Sequence, residues 1–413
     1  MLADHPVFWQ CCDLATGAGG HMDIELQRRT LLLSAAACAG LVLEPHKSHA
    51  ADFDAAPETR DDGWRVDRPS TGGFDPKALA ALTERIQAGE VPNVHAVLVE
   101  HDGRLIFERY FRGRDESWGR SLGVVDHGPG TLHDLRSVTK SVTSALLGIA
   151  LGADHTTVVR QPIASFFPNL ADAVGEGIDQ VTLHHVLTMT AGLEWNEMEV
   201  PYTDPSNDEI QLYATADPVG MVLARRLVQA PGTGWYYNGG LTQVVAGVIE
   251  RLTGKPIDAF AEEVLFGPLG ISEYAWLRSS AWPDSISPSA ASGLRLRARD
   301  LAKIASLFLH GGAWRGRQIV PSAWITASTE RHVQDVPWGP PGIYGYGYLW
   351  YPGEFKERGG LRVIRAVGNG DQRLFIAPDQ RIAITVFAGN YNDFRHASGD
   401  RIFDALMGAR WDD

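Results

Sequence analysis

The sequence predicts an α/β chain of the α+β kind: an antiparallel sheet flanked by helices, built from both chain ends, with an inserted all-helical domain. Three observations lead there. Near the start, "VHAVLVEHDGRLIFERYF" holds two strand-like runs joined through Asp102-Gly103, a strong tight-hairpin dipeptide. Near the end, "GLRVIRAVG", "QRLFIAPD" and "RIAITVFAGN" alternate or run apolar with β-branched residues. Between about Gln161 and Ala327 the apolar spacing is mostly helical, as in "DPVGMVLARRLVQ", "GGLTQVVAGVIERLTG" and "ARDLAKIASLFLHGG".

Taken in order, residues 1–50 read as an N-terminal extension with an export signal. Arg28 and Arg29 form a basic region, and Leu31 to Leu43 is an apolar stretch of signal-peptide length. Ser48-His49-Ala50 offers a small-x-small cleavage point, and the paired arginines resemble a twin-arginine signal. A short buried helix is the plainer alternative. Residues 1–21 read as sequence upstream of the true start. Cys11, Cys12 and Cys38 all precede the cleavage point, so residues 51–413 would hold no disulfide and no thiol nucleophile. The expected location is outside the cytoplasm, periplasmic or secreted, with no stable membrane span in the mature chain.

Residues 51–413 read as one domain, its sheet part at about 70–136 and 340–413 and its helical part at about 137–339. "FDPKALAALTERIQAG" has helical spacing, Asp75 as N-cap and Gly89 as a stop. A polar Gly-rich loop follows the early hairpin. "VPWGPPGIYGYGYLWYPG" reads as loop plus edge strand, and "FRHASGDRIFDALMGARW" closes the chain as a helix. The formal net charge of −13, from 37 Lys+Arg against 50 Asp+Glu, argues against a nucleic-acid or anionic-membrane partner. The expected partner is a small molecule.

"LRSVTKSVTSALLGIAL" (135–151) carries the chemistry. Its second half suits a buried helix, but its first half is rich in Ser and Thr, which compete with the backbone for hydrogen bonds. Ser137 and Lys140 lie three apart, on one face of a helix. A serine hydroxyl becomes a strong nucleophile when a neighbouring base takes its proton. Lysines can be such bases when burial makes them give up their own proton. A serine at a helix start also places its N–H where an oxyanion would form. The Ser/Thr-rich turn then reads as an active-site wall; the alternative is a solvated helix start with a surface lysine. "PGTGWYYNGG" (231–240) adds two tyrosines and Asn238 in a Gly-bounded turn. A phenol beside the serine can relay its proton to a leaving group; the plain reading is core aromatics at a helix entrance.

"SVTK", "LHHVLTMTAGLEW", "PGTGWYYNGG", "ASGLRLRARDLAKIASLFLHGG" and "GNGDQRLFIAPDQRIAITVFAGN", in that order, resemble the serine β-lactamase and penicillin-binding-protein superfamily. The nearer likeness is to its class C-type branch, which holds family VIII carboxylesterases, 6-aminohexanoate-dimer hydrolases and D-Ala-D-Ala carboxypeptidases. It covers roughly residues 70 to 408 and implies a β-lactamase-like fold and an acyl-enzyme mechanism. The S-x-x-K pair falls on Ser137 and Lys140. Trp235 takes the aromatic place of the second motif, which puts Tyr237 in the catalytic slot; a literal Tyr-x-Asn reading chooses Tyr236. Asn238 stands in for the usual asparagine. The third motif, Lys-Thr-Gly in β-lactamases, corresponds to Gly368-Asn369-Gly370, with the Asp371 N–H as second oxyanion donor by resemblance.

That stretch lacks a cation to bind a substrate carboxylate, though Arg365 or Arg373 can be considered. The resemblance therefore implies a carboxylesterase-like hydrolase of esters or small amides. A 6-aminohexanoate-type amidase, or weak β-lactamase or carboxypeptidase activity, is the alternative. A non-catalytic penicillin-binding-like protein is the alternative of another class. Two further patterns are set aside. "GRSLG" with Ser121 mimics a nucleophile elbow, but no strand–serine–helix context surrounds it. His184 and His185 point to different sides of a helix with no carboxylate at ligand spacing. No cofactor and no metal are expected.

Overall fold

The computed structural model describes residues 53–411 except 171–172, 284–285, 340–341 and 394. The expected export signal and cleavage point lie outside the described residues. Strand β1 (Arg65–Val66) precedes helix α1 (Pro76–Gln87). The Asp75 carboxylate caps α1 by accepting from Lys77 N at 2.9 Å, and Leu79, Leu82 and Ile86 turn inward. Strands β2 (Val94–His101) and β3 (Arg104–Tyr110) form the expected hairpin. Its turn residues Asp102 and Gly103 have φ of 53° and 78°, the left-handed pair that a two-residue turn needs.

The polar stretch after β3, read as a loop, is a second hairpin of β4 (Arg112–Ser117) and β5 (Arg120–Asp126). Its β5 residues are mostly exposed, so no apolar alternation marked it. β6 (His133–Asp134) leads into helix α2 (Val138–Leu151). Helix α3 (Gly239–Thr253) follows in the helical region, then β7 (Ala275–Trp276), β8 (Leu294–Leu296) and helix α4 (Ala298–Leu309). The chain closes with β9 (Tyr351–Phe355), β10 (Leu361–Gly368), β11 (Gln372–Ala377), β12 (Ile382–Ala388) and helix α5 (Ser398–Met407).

Among the described residues the main sheet has seven strands in the order β1-β3-β2-β12-β11-β10-β9. The last strand of the chain thus pairs with the first hairpin, which joins both chain ends in one sheet. All pairs are antiparallel except the short edge pair β1–β3, which is parallel, so the sheet is mixed. Every residue of β12 is buried, which requires cover on both faces; α4 and α5 both pack on it. Helix α4, although inside the stretch assigned to the helical part, therefore serves the sheet.

Helix α2 is wedged between β10 and α3 and is buried from Val138 through Gly148. Burial on all sides explains most of its hydroxyls. Ser141 Oγ donates to Leu349 O at 2.8 Å, Thr143 Oγ1 donates to Ala290 O at 3.0 Å, and Leu294 N donates to Thr139 Oγ1. They bolt a buried helix to neighbouring backbone, which corrects the reading of the whole turn as an active-site wall. Among the described residues no helix is long and apolar enough to cross a membrane.

Candidate active site

Ser137 sits at the junction of β6 and α2. β6 pairs with β8, and Leu135 N donates to Leu294 O at 2.9 Å. Arg136 then takes a left-handed φ of 49°, a costly conformation for a residue with a β-carbon, and turns the chain into the helix. Ser137 itself is half-buried. One turn on, Lys140 is buried and aims Nζ back at the serine, 3.2 Å from Ser137 Oγ, while donating to Ala291 O at 3.0 Å.

Tyr237 completes the group. It is 3% exposed, whereas Tyr236 is 37% exposed and its N–H donates to Met189 O. Tyr237 Oη donates to Ser137 Oγ at 2.7 Å, and its ring lies 4.8 Å from Lys140 Nζ. The structure thus brings Ser137, Lys140 and Tyr237 together and leaves Tyr236 outside. Asn238, expected at the substrate, is buried as the N-cap of α3, its Oδ1 accepting from Leu241 N at 3.1 Å. Trp338, from the aromatic loop, packs its ring 4.5 Å from that of Tyr237.

The third motif makes the tight turn between β10 and β11. Gly368 lies so close to the serine turn that a β-carbon there would sit 2.4 Å from Leu135 O. Only glycine lets β10 reach this position. Asn369 exchanges two hydrogen bonds with Asn392, each 2.7 Å. Gly370 and Asp371 both have positive φ, 91° and 69°. The Asp371 carboxylate is buried and engaged by Arg373, Asn390 and the N–H of Ser398. Arg373 also donates to Gly368 O and Gln372 O, and Arg365 donates to Trp338 O and Asp400. Both arginines considered as carboxylate binders are engaged in these contacts. Ser121 lies exposed on β5, with no helix between it and α2, and His184 and His185 sit in the short helix Leu183–Leu187 capped by Thr182.

Sequence reasoning missed Glu197. This carboxyl is buried, accepts from Gly239 N (2.6 Å), Trp195 Nε1 (2.7 Å) and Tyr202 Oη (2.9 Å), and touches Glu209. It thereby anchors the start of α3, two residues after Tyr237. No spacing signal links positions 197, 209 and 239. Burial, and then the neighbouring Glu209 carboxylate, push Glu197 up to about 8, with Lys140 pulling the other way. Burial, and then Glu197, hold the Tyr237 phenol well above its usual value, so it stays a proton donor. A carboxyl raised in the folded state contributes stability that is full below its unfolded pKa and lost as pH rises through the folded one. Thermal unfolding should therefore show stability falling from about pH 5 to above pH 8. Glu197→Gln should flatten that slope relative to wild type; identical slopes would contradict a protonated Glu197.

The sequence matches the Beta-lactamase family over residues 79–406, most of the chain. The chain belongs to that family. It is 28% identical to Esterase EstB of Burkholderia gladioli over 277 residues, 64% of each chain. It is 27% identical to 6-aminohexanoate-dimer hydrolase of Paenarthrobacter ureafaciens over 216 residues, 48% of this chain and 50% of that one. The matched stretch therefore spans less than two thirds of either relative. A family VIII carboxylesterase structure superposes with a TM-score of 0.61 at 18% identity, covering 81% of this chain and 96% of that one. This last likeness concerns the β-lactamase-like fold alone.

Proposed function

We propose that the chain is a serine hydrolase that acts through an acyl-enzyme on esters and small amides, with carboxylesterase-like preference. One observation carries this: Oγ of the half-buried Ser137 lies 3.2 Å from Lys140 Nζ and 2.7 Å from Tyr237 Oη. Lys140, in its amine form, takes the Ser137 proton as Oγ attacks the carbonyl carbon. The Ser137 N–H at the helix start and the Gly370–Asp371 turn stabilise the oxyanion. Tyr237 hands a proton to the departing oxygen or nitrogen and is reprotonated from Lys140. Water, deprotonated by the same pair, then attacks the acyl group and frees Ser137.

Ester preference is supported by the third motif. Gly368-Asn369-Gly370 carries no cation, and Arg365 and Arg373 are engaged elsewhere, so a substrate carboxylate finds no partner there. The sequences of the esterase and amide-hydrolase relatives support the same chemistry. The deciding experiment is fluorophosphonate labelling of the full chain with peptide mass spectrometry, alongside turnover of short nitrophenyl esters, nitrocefin and aminohexanoate dimer. The label is expected on Ser137 and the fastest turnover on the esters. Labelling at Ser121, or none, would sink the assignment.

Export belongs to the same reading, supported by Arg28-Arg29 and the apolar run behind them. N-terminal sequencing of chain recovered from the periplasm should begin near Ala51. Retention of the whole chain in the cytoplasm would contradict it.

A further inference from the structure

Outside the Ser137–Lys140–Tyr237 group, three imidazoles and a carboxylate converge around β6. His95 comes from β2, Asp115 from β4, His127 from just after β5 and His133 from β6. His95, Asp115 and His127 each offer one ligand atom, and these atoms lie within 4.8 Å of one another. His133 Nε2 is 2.8 Å from His95 Nδ1 and 3.5 Å from Asp115 Oδ1; His95 Nδ1 is 4.0 Å from the same oxygen. A tetrahedron with metal–nitrogen bonds of about 2.0–2.1 Å has edges of about 3.3 Å, which these separations bracket.

Proton accounting makes the group unusual. The Asn93 amide is fixed by β4: its Nδ2 donates to Arg114 O and its Oδ1 accepts from Arg114 N, each at 2.9 Å. His95 Nε2, 3.3 Å from that Oδ1, must therefore be the protonated nitrogen. His133 Nδ1 faces the backbone carbonyl of Asp134 at 3.0 Å, so it too carries the proton. In neutral rings, the two nitrogens that face each other at 2.8 Å are then both lone pairs. Both side chains are buried, and burial disfavours a charged ring. Lone pairs held this close repel unless a proton is shared between them or a metal ion lies beside them and binds both.

Two more atoms have no partner among the described residues. Asp115 is fully buried at its side chain, and its Oδ1 accepts from Tyr391 Oη and Glu116 N while Oδ2 is unmatched. His127, stacked on His95 with ring centroids 3.9 Å apart, has a buried, unmatched Nε2. A buried polar atom without a partner is costly, and a metal ion satisfies such atoms together. Outer contacts of the kind that orient metal-bound imidazoles are also in place, Asn93 on His95 and the Asp134 carbonyl on His133.

We propose that His95, Asp115, His127 and His133 bind one divalent transition-metal ion, with zinc the best match to three nitrogens and one carboxylate oxygen. The ion has a positioning role. It ties the β4–β5 hairpin to β2 and to β6, which ends three residues before Ser137. Tyr391, bonded to Asp115, lies over Arg136 at 4.8 Å and against Gly370, where a β-carbon would meet its ring at 2.6 Å. The metal therefore sits behind both the nucleophile turn and the third-motif turn. The spacing 95, 115, 127, 133 matches no local metal motif, which is why the sequence predicted none.

The test uses the full chain without an affinity tag, stripped by chelator and dialysed. Calorimetry with ZnCl2 should give one ion per chain, melting should shift upward by several degrees, and Co2+ should produce the visible bands of a four-coordinate site. His127→Ala, at a partly buried position outside the main sheet, should weaken Zn2+ binding by at least about 10-fold. Asp115→Asn, which keeps the side-chain volume, should weaken it similarly. Absence of Zn2+ binding would overturn the proposal, as would affinity unchanged in both variants. So would nitrogen NMR showing a proton still shared between His95 and His133 in excess Zn2+.

Discussion

Lys140→Ala should lower kcat/KM for a nitrophenyl ester by at least about 10³-fold, and Ser137→Ala should reduce turnover to near background. The loss corresponds to about 4 kcal/mol of transition-state stabilisation. The argument is geometric. Nζ is 3.2 Å from Ser137 Oγ, and Ala291 O holds the amine in that direction. The Ser137 proton thus has a positioned acceptor at the moment of attack. Because the residues act as a unit, the double variant should be barely worse than Ser137→Ala alone. Lys140→Arg separates base from charge: a guanidinium keeps the positive charge and stays protonated, so it should fail almost as badly as alanine. Lys140→Met checks that the loss is chemical, because it preserves much of the buried volume. Ester turnover within a few-fold of wild type in Lys140→Ala would remove the base from the mechanism.

What could be read from the sequence divides along a physical line. Elements with their own local signal were legible. The Asp75 cap, the Asp102-Gly103 turn and the three late strands all fall where periodicity and turn chemistry place them. The Ser137–Lys140 pair was legible because helical spacing alone puts both on one face. The β4–β5 hairpin was not, since strands with little apolar burial leave no alternation to detect. Asn238 was misleading in a different way. An asparagine beside a tyrosine suggests a binding group, yet the start of α3 needs an acceptor for its free N–H groups and takes this one. Glu197 and the histidine cluster were invisible for a third reason. Their partners come from separate segments that only the closed sheet and the packed helices bring together. Local chemistry is written in short windows; long-range polar contacts need the topology.

Tyr237→Phe should cost about 10²-fold in kcat/KM, whereas Tyr236→Phe should stay within a few-fold of wild type. The two residues are adjacent, but only Tyr237 points its hydroxyl at Ser137 Oγ, from a buried position, while Tyr236 is partly open to solvent. The size of the first effect should depend on the leaving group, and that dependence is the sharper test. A nitrophenolate departs without a proton, so the relay contributes little once Lys140 has activated the serine. An alkoxide or an amine departs only when protonated, and the phenol is the group placed to do it. The Tyr237→Phe loss should therefore be smallest for nitrophenyl esters, larger for alkyl esters and largest for amides. A loss of equal size across all three would assign the phenol to holding Ser137 in place rather than to moving a proton. A larger loss in Tyr236→Phe would transfer the role to the neighbouring residue. The raised proton affinity of the Tyr237 phenol sets the direction of this argument, because it keeps the hydroxyl in the form that donates.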